Sequence, residues 1–132
     1  MAAVLLGSIL EHYVPALQSE GMQRMVQASL HEPWLALLGI GIAAPLFEEI
    51  LFRGVLFRVA DDLFGPMAAV FSTSALFAVA HLQYNVLIMI ALFVMALILG
   101  MVRLRSGSVW PSFLLHAGNN IAATLLALNS VS

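Results

Sequence analysis

The chain contains no cysteine and no lysine. The first absence excludes disulfide frameworks, thiolate metal sites and cysteine nucleophiles. The second leaves arginine as the sole cationic side chain, at Arg24, Arg53, Arg58, Arg103 and Arg105. Charge of either sign is scarce, at 9% of 132 residues, where soluble domains carry about 25%. A net charge of −2 gives no reason to expect a nucleic-acid partner. No internal repeat or low-complexity segment is visible.

What the chain has in quantity is hydrocarbon. Hydrophobic residues make up 62% of it, and its mean hydropathy is +1.02. Backbone polar groups in lipid must be satisfied internally, as helices do, so an all-α, polytopic transmembrane helix bundle is expected. Four spans are predicted, at 34–60, 66–82, 84–102 and 109–128. The third is the clearest, since its centre carries no polar side chain and is long enough for about 30 Å of hydrocarbon. The second follows Gly65-Pro66 and is rich in small residues (Ala68, Ala69, Ser72, Ser74, Ala75), as helix interfaces in lipid tend to be. The fourth follows Ser106-Gly107-Ser108 and has Pro111 in its first turn, where proline is tolerated.

Residues 1–33 are expected to form a short or tilted N-terminal span at 2–17, interrupted by Glu11, His12 and Pro15, and an interfacial helix at 20–31. Residues 34–128 are read as the core domain. An up-and-down path places Arg58, Arg103 and Arg105 in two loops on one side, predicted to be cytoplasmic. The site described next is expected to open to that side.

Within the first predicted span of the core lie Glu48, Glu49 and Arg53. An ionised side chain near the bilayer centre costs about 2.5–3.5 kcal/mol on insertion scales, so three together call for partners or a task. Glu49 and Arg53 are one helical turn apart and share a face, while Glu48 points about 100° away. Glu49 can therefore pair with Arg53 and leave Glu48 free for chemistry. The plainer alternative is a structural ion pair with one stray acid.

Two further polar sets fall inside spans: His81, one turn after Phe77, and His116 with Asn120, which share a face. A packing histidine and helix-to-helix hydrogen bonding are the corresponding structural alternatives. At about 1.5 Å per residue, Glu48 lies roughly 15 Å from the Arg58 end of its helix, His116 roughly 11 Å from the start of its own and His81 roughly 22 Å from Pro66. Convergence is geometrically allowed.

These residues form EExxxR (Glu48, Glu49, Arg53), FxxxH (Phe77, His81) and HxxxN (His116, Asn120), in that order on successive spans, with Ser108-Val109-Trp110-Pro111 before the last. On these motifs, over about 34–128, the chain resembles the CPBP family of intramembrane proteases, which comprises type II CAAX prenyl proteases and bacteriocin-processing and immunity proteins. The resemblance implies an endopeptidase in which Glu48 and His81 position and deprotonate a water. His116 and Asn120 would donate to the oxyanion, and Glu49 and Arg53 would hold the site's shape. Hydrolysis by direct water attack needs a base and an oxyanion stabiliser, and these residue types supply both.

No cofactor is expected. Zinc is the alternative, through Glu48, His81 and His116, but neither HExxH nor cysteine strengthens it. The expected partners are the lipid bilayer and a peptide or membrane-protein substrate, CAAX-type or other. The expected location is the plasma (inner) membrane of a bacterium. Members of the family usually have several further helices before EExxxR, so the chain is expected to be truncated, minimal, or completed as a homo-oligomer. Two other functions compete: a non-catalytic immunity or scaffolding protein, and a small transporter or proton channel. The full set of Glu48, His81, His116 and Asn120 favours the enzyme, and the lack of an inverted repeat disfavours transport.

Overall fold

A computed structural model describes residues 32–129 of the chain. The expected N-terminal span at 2–17 and interfacial helix at 20–31 lie outside the described residues. Among those described the architecture is all-helical: α1 (Pro33–Phe64), α2 (Pro66–Val79), α3 (Val86–Ser106) and α4 (Val109–Asn129). α1 is longer than the predicted span, with 32 residues. It is not uniformly α-helical, because Gly39–Ala43 and Ile50–Leu56 run in π register.

The helix boundaries follow from residue chemistry. Gly65 has φ +86°, a backbone conformation that L side chains rarely adopt, and Pro66 then opens α2 in a first turn that needs no N–H. One glycine thus turns the chain from α1 into α2. α3 begins at Asn85, whose Oδ1 accepts from the N–H groups of Leu87 and Ile88 at 3.1 and 3.0 Å, an N-cap. It ends at Gly107 (φ +68°), whose N–H returns to the Arg103 carbonyl at 3.1 Å. Ser108 and Pro111 then start α4.

Two of the four expected spans, Pro33–Phe64 and Val86–Ser106, are long and apolar enough to cross a bilayer. α2 is apolar but has only 14 residues, because it stops at Val79 and the chain turns through 80–85. His81 therefore stands on a turn just past the helix end, not inside a span as expected. α4 has the length, at 21 residues, but His116, Asn119 and Asn120 dilute its hydropathy.

The polarity of the bundle is reversed relative to a soluble protein. Glu49, Arg53, Thr73, Ser74, Arg103, Ser112, His116 and Thr124 are buried, while Phe47, Ile50, Val55, Leu76, Ile90, Val94, Ile98, Leu114 and Leu125 are exposed. An apolar exterior around buried polar groups is what a lipid solvent selects. The buried hydroxyls do not stand alone: Thr73, Ser74 and Thr124 donate to the carbonyls of Ala69, Val70 and Asn120, one turn back, at 2.7, 2.7 and 2.8 Å.

Small residues set the helix spacing. α2 lies on α3 where a Cβ on Gly100 would come within 3.2 Å of Val70 Cγ1. α4 lies on α1 where a Cβ on Gly41 would fall 2.8 Å from Ile121 Cγ1. Two apolar clusters fill the space between, Phe52–Phe77–Ala96 and Phe57–Ala69–Val70. Of the small residues expected at the α2 interface, Ala69 and Ser74 are buried, whereas Ser72 and Ala75 face outward.

Arg103 corrects the reading of the arginines. It is not a loop charge but a buried side chain of α3, with its guanidinium 5.3 Å from the centre of the Phe57 ring. Arg58 and Arg105 remain exposed.

Candidate active site

The site is built on α1, on the turn after α2, and on α4. Its innermost part is sealed. Glu49 and Arg53 are both 0% exposed, with Arg53 Nη1 at 3.2 Å from Glu49 Oε1. That N–H is not aimed for a hydrogen bond, so the attraction is coulombic. The other guanidinium nitrogen, Nη2, donates to the Ala96 carbonyl of α3 at 2.9 Å. Glu49 Oε1 also receives His116 Nδ1 at 3.0 Å. Because a carboxylate accepts, the proton of this contact sits on Nδ1, and His116 is oriented with Nε2 toward Glu48.

Glu48 occupies the outer part, where its side chain is 22% exposed. Its two oxygens face two imidazoles: Oε2 lies 3.5 Å from His116 Nε2 and Oε1 lies 3.9 Å from His81 Nε2. His81, 18% exposed, places Nδ1 2.8 Å from the Phe77 carbonyl. A carbonyl only accepts, so Nδ1 carries the proton and the Nε2 lone pair is turned to the glutamate. The separation of 3.9 Å is too long for a direct hydrogen bond and suits one water held by both groups.

Phe77 is the hub beneath these groups. It is 1% exposed, with ring centroids at 4.6 Å to His81, 5.7 Å to His116 and 5.2 Å to Phe52. The Arg53 guanidinium sits 5.0 Å over its face. The FxxxH spacing thus serves two contacts at once, packing the tilted Phe77 ring against His81 and holding His81 Nδ1 with the backbone carbonyl.

Asn120 is placed differently. One turn after His116 on α4, its Nδ2 donates to the Ile40 carbonyl of α1 at 3.0 Å. Ile40 lies in the first π segment, and in the second the Arg53 carbonyl accepts from Arg103 Nε at 3.0 Å. Side chains from α4 and α3 thus reach one backbone carbonyl in each π segment. Neither contact is written in the sequence as a motif. Arg103 could have been found as the deeper of two arginines in the last turns of an apolar span, but its charge drew the loop reading.

Tyr84 belongs to none of the three motifs yet touches the site. Its ring stacks on His81 with centroids 6.0 Å apart and planes 14° from parallel. Burial pushes its hydroxyl pKa up, a side-chain hydrogen bond from Gln83 opposes this, and the negative charge of Glu48 adds to the rise.

Two shallow surface grooves, one along Leu97, Ile98, Met101 and Arg105 and one along Ile50, Gly54, Arg58 and Val109, include none of these site residues. Among the described residues no three His, Asp or Glu side chains converge as a ligand set for a metal ion.

These features define a helical membrane protein with a carboxylate–imidazole site embedded at its helix interfaces. The chain belongs to the type II CAAX prenyl endopeptidase Rce1-like family, which matches residues 30–122 and is membrane-embedded. The match supports the protease side of the resemblance and gives no support to bacteriocin immunity. A relative from Escherichia coli, named as an uncharacterized 24.3 kDa protein, is 38% identical over 133 aligned residues, covering 97% of this chain and 59% of the relative. The chain thus spans about three-fifths of the length of that relative. No solved structure matches.

Proposed function

We infer that the chain carries the hydrolytic centre of an intramembrane endopeptidase that cleaves a membrane-associated peptide, CAAX-type or other, in the inner membrane of a bacterium. The observation that carries this reading is the Glu48 carboxylate standing between the Nε2 atoms of His81 and His116, partly open, with the Glu49–Arg53 pair sealed behind it. A water between Glu48 and His81 loses a proton to this pair as its oxygen attacks the scissile carbonyl carbon. The oxyanion accepts from His116 Nε2–H, in the two-proton form of that ring, and from the amide N–H of Asn120 not used by Ile40. Collapse breaks the C–N bond, and the proton held by the Glu48–His81 pair passes to the leaving amine. Glu49 and Arg53 fix His116 and take no part in proton transfer. The same residue roles operate without a metal, the mechanism we favour.

The test is cleavage of membrane-associated peptides by the purified chain, before and after stripping with a strong chelator, with Glu48→Gln and His81→Ala beside it. Loss of more than about a hundredfold is expected in each variant, in the range for a general base, with folding retained and stripping without effect. Wild-type rates in Glu48→Gln would end the glutamate-base reading. Activity lost on stripping and restored by zinc would make Glu48 and the histidines ligands.

A further inference from the structure

His81 is the least anchored of the groups around Glu48. It lies beyond the last turn of α2, on the 80–85 turn, so no helical neighbour fixes its rotamer from the outer side. Two aromatic rings do so instead. Phe77 packs on one side at 4.6 Å, and Tyr84 stacks near-parallel at 6.0 Å and 14°, within the 4.5–7 Å window of attractive aromatic pairs. The turn holds Tyr84 there, because its N–H donates to the His81 carbonyl at 3.1 Å. The contact with His81 is made by the Tyr84 ring.

We propose that Tyr84 is a positioning residue for the hydrolytic centre, whose ring clamps His81 against Phe77 so that Nδ1 stays on the Phe77 carbonyl and Nε2 stays on Glu48. Without this ring His81 can rotate about its side-chain bonds into the space the turn leaves open, and the Nε2 lone pair leaves the water position. The role depends on ring planarity and not on the phenol, so phenylalanine preserves it. This inference rests on the reading of Glu48 and His81 as the water-activating pair, but the clamp itself is measurable without turnover.

The experiment uses the full chain in detergent micelles, labelled with ¹³C and ¹⁵N in histidine, with His81 signals assigned by their loss in His81→Gln. Wild type and Tyr84→Phe are expected to show His81 as a single Nδ1–H tautomer. Tyr84→Leu should show averaged tautomers. In cleavage assays Tyr84→Leu should lower kcat about tenfold, equivalent to about 1.4 kcal/mol, with KM within about twofold, and Tyr84→Phe should restore the rate. Wild-type histidine spectra and kcat in Tyr84→Leu would overturn the clamp. A shift in the spectra with no cleavage by any form, wild type included, would retain the clamp and reject the proteolytic reading. If Tyr84→Leu does not fold, the wild-type chain decides: cross-relaxation between the Tyr84 and His81 ring protons is required, and its absence refutes the stack.

Discussion

Replacing Arg53 by leucine tests whether the sealed ion pair holds the bundle together. The guanidinium is 0% exposed, lies 3.2 Å from Glu49 Oε1, donates to the Ala96 carbonyl at 2.9 Å and covers the Phe77 ring at 5.0 Å. Its removal leaves Glu49, also 0% exposed, with His116 as its remaining cation-capable neighbour, and leaves a buried carbonyl without its donor. Breaking a buried pair from one side costs about 3–5 kcal/mol in soluble proteins. His116, at 3.0 Å from the same carboxylate oxygen, moderates this, so the lower end, about 3 kcal/mol, is the expected loss. In detergent that corresponds to a fall in Tm on the order of 10 °C. Glu49→Gln/Arg53→Leu should be less destabilised than the sum of the single variants, because the second substitution removes the charge that the first strands. An Arg53→Leu chain that melts within about 2 °C of wild type, or strict additivity in the double variant, would refute the pairing and the structural role built on it.

Arg103→Leu should lower Tm by several degrees, since it strips the Arg53 carbonyl of its donor and the Phe57 ring of its cation, and Arg103→Lys should recover only part, because lysine lacks the Nε–H geometry; equal Tm in all three would reassign Arg103 to the surface. Connectivity puts the 80–85 turn at the end of the bundle opposite Gly65 and Gly107. If Arg58 and Arg105 hold the latter end in the cytoplasm, Gln83→Cys should react with an impermeant thiol reagent on intact cells and Ser106→Cys should not. The reverse pattern would invert the topology.

Much of the site was legible because helical spacing preserves side-chain direction. Glu49 and Arg53 meet, and His81 and His116 reach Glu48 from separate segments, as the three motifs taken together suggested. The expectation for Arg103 failed because the positive-inside argument counts charges near span ends without asking which face carries them. A guanidinium one turn from the end of an apolar helix can turn inward when a buried carbonyl accepts it. Asn120 was read for its motif alone, and its bond to Ile40 was invisible because periodicity assumes α register throughout. His81 itself sits past the end of α2, at the end of the bundle opposite Arg58 and Arg105.

The two π segments connect these observations. In lipid a polar side chain has no water to turn to, and in each of the two π segments of α1 a backbone carbonyl accepts from a side chain of another helix. Asn120 of α4 meets the one at Ile40, and Arg103 of α3 meets the one at Arg53. The first contact also needs α4 to come close, and it can because Gly41, in the same π segment, presents no Cβ to Ile121. Glu48 and Glu49 lie between the two segments, on the short α-helical stretch Ala44–Glu49, so the elements that fasten α1 to its neighbours flank the residues proposed to do the chemistry. A substitution that restored uniform α register would rotate the glutamates relative to His116 and strand both donors, linking loss of the site to loss of the bundle.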